Sequence, residues 1–353
     1  MRRRDGSRAL AVMAALVVAA LVALPSARAA SDPSTPATQT AGRSADDVPA
    51  WFAVSFLDFR DELDEANRAG KRLLLYIGQQ GCPYCRRLIA VNFAQRAIVD
   101  TMRAHFVPIA LDLWGDRATT WIDGSTASEK ALAKKLDVQF TPTILILDER
   151  GTVIVRMDGY WPPPSFLAAL DYAAGHHERE VSLGDWLRTH VHEKASPELH
   201  DEPFFLAPPY DLSRRSDGKP LAVLWETVDC PPCDELHRDA FRRPEVKAEL
   251  ARFDVVRLEP YASTPLVTPD GQRTTAAGWA RALGIAWSPS VVFFDTAGRE
   301  VFRIDAYLRP YHLTSSFAYV TDRAYLREPS FQRWMRERAD GLRRQGKPVD
   351  IWN

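Results

Sequence analysis

The chain repeats itself once, and each copy carries one Cys-x-x-Cys pair. Cys82-Pro83-Tyr84-Cys85 falls on Cys230-Pro231-Pro232-Cys233 at an offset of 148 residues. After one residue of slippage, Asp123-Gly124 falls on Asp270-Gly271 and Thr141-Pro142-Thr143 on Ser288-Pro289-Ser290. Asp148 and Gly151 then fall on Asp295 and Gly298, and Tyr172 on Tyr319. Farther on, Ser182 and Trp186 meet Ser330 and Trp334. An ordered series of this kind marks a duplicated structural unit, about 73–190 and about 221–338. Any fold for this chain has to be built twice.

The four cysteines form two pairs with none left over. Structural bridges of exported proteins usually join cysteines that are distant in sequence, and closing so small a loop constrains the unfolded chain little. The pairs therefore point to chemistry. Two such pairs can also make a four-thiolate zinc site, but zinc pairs usually lie about 15–20 residues apart, whereas a whole repeat separates these two.

Each half has the same layout. Apolar strands are predicted over 73–77 and 221–225, running straight into the Cys pairs. Helices over 83–103 and 231–252 follow, with breaks near Arg96 and at Pro244, where proline cannot continue a helix. Strands over 106–111 and 253–258 come next, then helices over 129–136 and 275–283. Hairpins over 143–157 and 290–304 turn at Gly151 and Gly298. Closing helices start near Ser165 and Thr314, and a lead-in helix covers 59–69. The fold class is α/β: two tandem domains, 51–195 and 221–353, each a central mixed β-sheet flanked by helices. The Pro-, Asp- and Ser-rich stretch inside 196–220 reads as a linker.

The N-terminus reads as an export signal over 1–30. Arg2 to Arg4 precede an apolar run from Ala9 to Leu24 and the small-residue pattern Ala27-Arg28-Ala29. The run is short against the roughly 20 residues of a bilayer span, although an uncleaved anchor has the same pattern. Residues 31–50 read as a disordered spacer. The expected location is the periplasm, with no stable membrane insertion once the signal is removed. A net charge of −1 gives no reason to expect a nucleic-acid partner.

A thiol becomes a nucleophile when it ionises, and a helix N-terminus favours the thiolate. Pro83 and Pro231 fall at the first helical position, where a missing N–H costs nothing. Cys82 and Cys230 are therefore the expected nucleophiles. Cys85 and Cys233, one turn on, are the resolving thiols. Pro142 and Pro289 stand at the mouth of a strand. A cis peptide there would set the ring beside the disulfide, but a trans proline at a strand's first residue is common.

Strand, Cys-x-x-Cys on a helix, and Thr-Pro or Ser-Pro before a hairpin together resemble the thioredoxin superfamily, twice over. The resemblance implies two tandem thioredoxin folds, attack by Cys82 and Cys230, resolution by Cys85 and Cys233, and cis peptides at Pro142 and Pro289. The second half more narrowly resembles periplasmic thioredoxin-like proteins of sulfur-oxidation systems. The residues that carry this are Trp225-Glu226, Cys230-Pro231-Pro232-Cys233, Leu236-His237, Pro269-Asp270-Gly271 and Pro329-Ser330-Phe331-Gln332. Cys82-Pro83-Tyr84-Cys85 also resembles the glutaredoxin motif, without a glutathione-binding pattern beside it. Where thioredoxin keeps a buried aspartate, six residues before its first cysteine, this chain has Tyr76 and Leu224. Glu226 is a candidate substitute as proton acceptor, or else a surface or strand-end charge. Asp229 should oppose thiolate formation at Cys230 by like charge.

The implied activity is thiol–disulfide exchange through the cysteines themselves, with no cofactor. The implied partners are proteins with oxidised thiols and a membrane thiol carrier as reductant. A disulfide oxidase or isomerase, or a binding or chaperone module, fits the same residues. The stretches 114–128 and 261–272 are longer than in a minimal thioredoxin. They are expected to overhang the Cys pairs and select partners, or to be inert decoration. The basic run 333–344 reads as an exposed helix face.

Overall fold

A computed structural model describes residues 48–213, 218–347 and 349. The expected signal segment, and the spacer up to residue 47, lie outside the described residues. Val48, at the end of that spacer, is already buried in a core with Phe52.

The first half begins with α1 (Phe59–Arg68), whose apolar face of Phe59, Leu63 and Ala66 is buried and whose N-cap Asp58 accepts from Arg60 N. Next come β1 (Arg72–Gly78), α2 (Pro83–Arg87), α3 (Arg96–His105) and β2 (Phe106–Asp112). A π-helical turn, Leu88–Asn92, prolongs α2 before the break. Then follow β3 (Ala118–Thr120), β4 (Thr126–Ser128), α4 (Glu129–Lys135), β5 (Thr143–Leu147), β6 (Val153–Asp158), α5 (Pro163–Ala174) and α6 (Leu183–His190). The second half repeats this with β7 (Tyr210–Asp211), β8 (Leu221–Trp225), α7 (Pro231–Arg238), α8 (Pro244–Leu250) and β9 (Asp254–Leu258). It ends with β10 (Pro265–Val267), β11 (Arg273–Thr275), α9 (Ala276–Leu283), β12 (Ser290–Phe294), β13 (Glu300–Ile304), α10 (Pro310–Thr321) and α11 (Phe331–Arg344).

The two central sheets share one topology. The first has order β2-β1-β5-β6, with β1 parallel to β2 and antiparallel to β5. The second, β13-β12-β8-β9, mirrors it. Both are mixed sheets, as the alternation of strands and helices predicts. β1 is buried along its whole length, which explains an apolar run without polar alternation. Leu73, Leu75 and Ile77 face one core, and Leu74 and Tyr76 the other. Each such side chain stabilises the fold by about 1.5–3 kcal/mol.

The described residues of the segment expected as a linker, 196–213 and 218–220, pack onto the second half. β7 pairs in parallel with β10, and Phe205 bridges to Val255. Glu202 is 5% exposed. The polar composition that suggested a solvated connector instead supplies partners for buried charge, described below.

The halves also pack on each other. Trp161 of the first stacks on Trp287 of the second at 4.3 Å. A Cβ on Gly159 would come within 2.9 Å of the Ala306 side chain. Phe140 of the first half belongs to the core of the second.

Candidate redox sites

Both Cys pairs are closed as disulfides within their own motif. Each first cysteine is the N-cap of its helix. Cys85 N donates to Cys82 Sγ at 3.0 Å, and Cys233 N donates to Cys230 Sγ at 3.2 Å. An amide aimed at sulfur favours negative charge there, so the strand-to-helix turn prepares each first cysteine to be a thiolate. The first cysteine is also the outer one: Cys82 is 3% exposed and Cys85 0%, Cys230 6% and Cys233 2%.

The peptides Thr141–Pro142 and Ser288–Pro289 are cis. They bring the carbonyl oxygen of Thr141 to 3.5 Å from Cys82 Sγ and that of Ser288 to 3.6 Å from Cys230 Sγ. Thr143 and Ser290 then open the strands: Thr143 Oγ1 donates to Phe140 O and Ser290 Oγ to Trp287 O, which fixes each turn.

Beneath the cysteines the two sites part. In the first, Tyr76 is fully buried and edge-on to Phe52 and Phe93. A Cβ on Gly78 would meet the Tyr76 hydroxyl at 2.5 Å, so the ring uses the space a side chain at 78 would need. In the second, the matching residues are Leu224 and Glu226, a smaller residue and a carboxylate. Glu226 is 1% exposed, and both its oxygens meet His237 Nε2, at 3.1 and 3.0 Å. His237 Nδ1 meets Glu202 Oε1 at 3.0 Å, and Arg242 Nη2 donates to that same oxygen at 2.6 Å. Burial pulls the His237 pKa down, but its bonds to Glu226 and Glu202 outweigh this and the net shift is upward. His237 is one helical turn beyond Cys233 on α7, so the buried Glu226–His237–Glu202 row starts one turn from the second disulfide. The segment 196–202 completes it: Asp229 N donates to Ser196 O, Ser196 N donates to Asp234, and the His200 ring stacks on His237 at 4.6 Å. Glu226, just past the end of β8, is thus a buried group bonded to an imidazole, rather than a surface charge. Glu202, His237 and Arg242 were not among the sequence candidates. The Leu236-His237 pair was singled out only as part of a resemblance.

Above the cysteines, each site is roofed by the opposite half. A cleft of about 410 Å³ beside Cys82 is lined by Thr141, Tyr84, His312 of α10 and Met335 of α11. Gln332 of α11 accepts from Gln79 Nε2 at 2.9 Å and donates to Gln139 O at 3.0 Å. A cleft of about 300 Å³ beside Cys230 is lined by Ser165 of α5, Leu187 and Arg188 of α6, and Trp287. Here α6 comes close enough that a Cβ on Gly184 would lie 3.2 Å from Ala286.

The long inserts do not provide the roof. Trp121, in the β3–β4 hairpin, packs on Phe59 of α1, and Ile122 approaches Gly151 in the turn at the far end of β5. Pro269, between β10 and β11, lies equally against Gly298. Only the roots of the inserts reach the sites: Trp114 Nε1 donates to Gln79, and Tyr261 lines the Cys230 cleft. Each hairpin buries its apolar tip on its own domain, away from the sulfurs. The basic residues of α11, Arg333, Arg336, Arg343 and Arg344, lie on its exposed face, as expected. Its stripe of Phe331, Met335 and Ala339, at helical spacing, is the signal that one face is buried.

A family model for the thioredoxin-like domain matches the chain twice, over 59–174 and 214–321, more than half its length. The chain belongs to the thioredoxin-like family. Each match contains one Cys pair and one cis proline of this thioredoxin-like chain, and the roofing helices α6 and α11 fall outside both. The chain is similar to a thioredoxin-fold protein from Helicobacter pylori, with 26% identity over 34% of this chain and 79% of that one, TM-score 0.30. It is similar to a putative disulphide-isomerase from Bacteroides thetaiotaomicron, with 26% identity, 33% and 88% coverage and TM-score 0.28. It is also similar to the periplasmic thioredoxin SoxS from Paracoccus pantotrophus, with 23% identity, 30% and 99% coverage and TM-score 0.22. No curated protein matches it. A thioredoxin-like domain with a closed Cys-x-x-Cys pair has the chemical means for thiol–disulfide exchange.

Proposed function

We propose that the chain is a periplasmic thiol–disulfide oxidoreductase that reduces disulfides in substrate proteins at two Cys-x-x-Cys sites. The observation that carries this reading is the outer cysteine at each helix start, with an amide donating to its sulfur and the inner cysteine directly behind it. In the reduced form, the thiolate of Cys82 or Cys230 attacks a substrate disulfide, and one substrate sulfur leaves as a thiol. Cys85 or Cys233 then attacks the mixed disulfide, releases the second substrate thiol and closes the Cys-x-x-Cys bond. A membrane thiol carrier restores the dithiol, supplying two electrons and two protons. The cysteines are the whole redox equipment, and no cofactor enters.

Pro142 and Pro289 hold the Thr141 and Ser288 backbones beside the sulfurs, where an extended substrate segment can pair with them. Glu226 serves as proton acceptor at the second site through its bonded pair with His237. The periplasmic location is supported by the export pattern over 1–30.

The test is trapping. Cys85→Ser and Cys233→Ser should each accumulate mixed disulfides with substrate proteins, visible on non-reducing gels and lost on adding dithiothreitol. If neither variant captures a partner, the enzyme reading fails. If all four cysteines are changed to serine and the chain still protects a partner from aggregation as before, it is a binding module.

A further inference from the structure

The two roofs differ at one position that bears on the chemistry. His312, in the first turn of α10, lines the cleft beside Cys82. The corresponding residue of the other half is Ser165 of α5, which lines the cleft beside Cys230. His312 is 8% exposed and lies edge-on to Tyr84, with ring centres 5.2 Å apart. Its Nδ1 is buried and has no hydrogen-bond partner among the described residues. An unbonded buried polar group costs about 1–3 kcal/mol, which a phenylalanine in the same place would not.

The other titratable or charged groups around this cleft come from four directions. Burial pushes the Tyr84 phenol of α2 up to about 12, partly offset by the hydrogen bond from Arg309 N. Burial also raises Tyr307 and Tyr311, and Tyr160 lies across the cleft. Arg336, Asp340 and Arg343 of α11 are exposed at its rim. Burial alone pulls His312 down to about 4, so its imidazole is neutral while the disulfide is closed and has a lone pair free to accept a proton.

We propose that His312 is the proton partner of the first redox site, taking the Cys82 proton when the disulfide is reduced and holding the pair as thiolate and imidazolium. This rests on the thiol–disulfide reading above and deepens it. A dithiol donor loses two electrons and two protons and becomes a disulfide. The two electrons break the Cys82–Cys85 bond. One proton goes to Cys85 and the other to the imidazole of His312. The negative charge left on Cys82 raises the proton affinity of the imidazole, because charges attract strongly in a cleft screened from water. A serine hydroxyl cannot take a proton from a thiol, so Cys230 has no such partner in Ser165. The first site is therefore completed by a residue of the second domain.

The test uses the full chain, reduced with dithiothreitol, desalted and pulsed with iodoacetamide from pH 4 to 9. Peptide masses report the alkylation rates of Cys82 and Cys230 separately. In His312→Phe and His312→Gln the Cys82 profile should move to higher pH by about one unit, a rate about tenfold lower at pH 6. The Cys230 profile should stay where it is in wild type, which also certifies the fold. Superimposable Cys82 profiles in wild type and both variants would overturn the proposal, since a packing role moves neither. A second measurement needs only wild-type protein: the His312 imidazole resonance, assigned by its loss in His312→Phe, should titrate at higher pH in the reduced state than in the oxidised one. Identical titrations in the two states would overturn it too. Failure of Cys85→Ser and Cys233→Ser to trap partners would sink the enzyme reading without touching this profile. Successful trapping with an unmoved Cys82 profile would sink only the role of His312.

Discussion

At the first redox site an aromatic ring forms the floor and a neutral imidazole from the other domain stands in the roof. At the second, the floor is a buried Glu226–His237–Glu202 row, and the roof offers a serine. The backbones are alike: strand, outer cysteine at the helix start, and the carbonyl oxygen just before a cis proline within 3.6 Å of each outer sulfur. The Tyr76 and Gly78 pair against Leu224 and Glu226 shows how the divergence was accommodated. Residues two apart on a strand share one face, so bulk at one position excludes it at the next. A duplicated scaffold thus carries two electrostatically distinct sulfurs, the first over an aromatic floor and the second beside Asp229 with Glu226 two residues past its matching floor position.

The largest expected effect separates the sites outright. Cys82→Ser and Cys230→Ser should each abolish exchange at one site and leave the other active, measured by dithiothreitol-driven reduction of a disulfide substrate. Two half-active variants of equal residual rate would mean that the structural difference has no functional weight.

Next comes the charged floor. His237→Ala removes the ring that bonds buried Glu226 and Glu202; Glu202 keeps Arg242 but Glu226 loses the His237 bond, and the change should cost about 3–5 kcal/mol. Urea denaturation followed by tryptophan fluorescence would read it as an early transition of the second domain. The wild-type pH dependence has a definite sign. His237 has a raised folded pKa, so its stabilisation is full below the ordinary histidine value of about 6.5 and is lost as pH rises through the raised one. Stability of the second domain that stayed level from pH 6 to 9 would contradict the arrangement.

A smaller effect tests the aromatic floor. Gly78→Ala should cost about 1–3 kcal/mol by overpacking against Tyr76. Tyr76→Leu should relieve part of that cost, so the double variant should melt higher than the sum of the two single effects implies. Strict additivity would mean that the two positions do not compete for space. The smallest effect is at the roof. Gln332→Ala removes bonds to Gln79 and Gln139, each worth about 0.5–1.5 kcal/mol. It should speed alkylation of Cys82 and leave Cys230 unchanged.

Much of the fold was legible in the sequence because the repeat doubled every signal. The strand at 290–294 was readable from its β-branched and aromatic run, and the break at Pro244 from the missing N–H. That Cys82 and Cys230 start their helices was readable from the position of Pro83 and Pro231. What joins the halves was not. Local periodicity says that Phe331, Met335 and Ala339 share a face, but not that it packs on Phe140 and lines the cleft beside Cys82, more than two hundred residues away. The inserts misled for a related reason: their length was visible, but their burial on Phe59 and Gly151 depends on tertiary neighbours. The segment 196–220 misled because Glu202 and His200 look like solvated polar residues until His237 and Asp234 are placed against them.

The most direct test of the account is a redox titration of the full chain in graded dithiothreitol buffers, quenched by alkylation, with the two Cys pairs read separately by peptide mass. Both pairs should titrate reversibly. A thiolate that is stabilised makes its disulfide more oxidising, so Cys82–Cys85 should titrate at the higher potential, by roughly 30 mV or more, equivalent to about tenfold in equilibrium. Coincident midpoints, or a higher potential at Cys230–Cys233, would contradict the claim that the two sites are electrostatically distinct in the way described. Failure of either pair to titrate would remove it from the redox chemistry altogether.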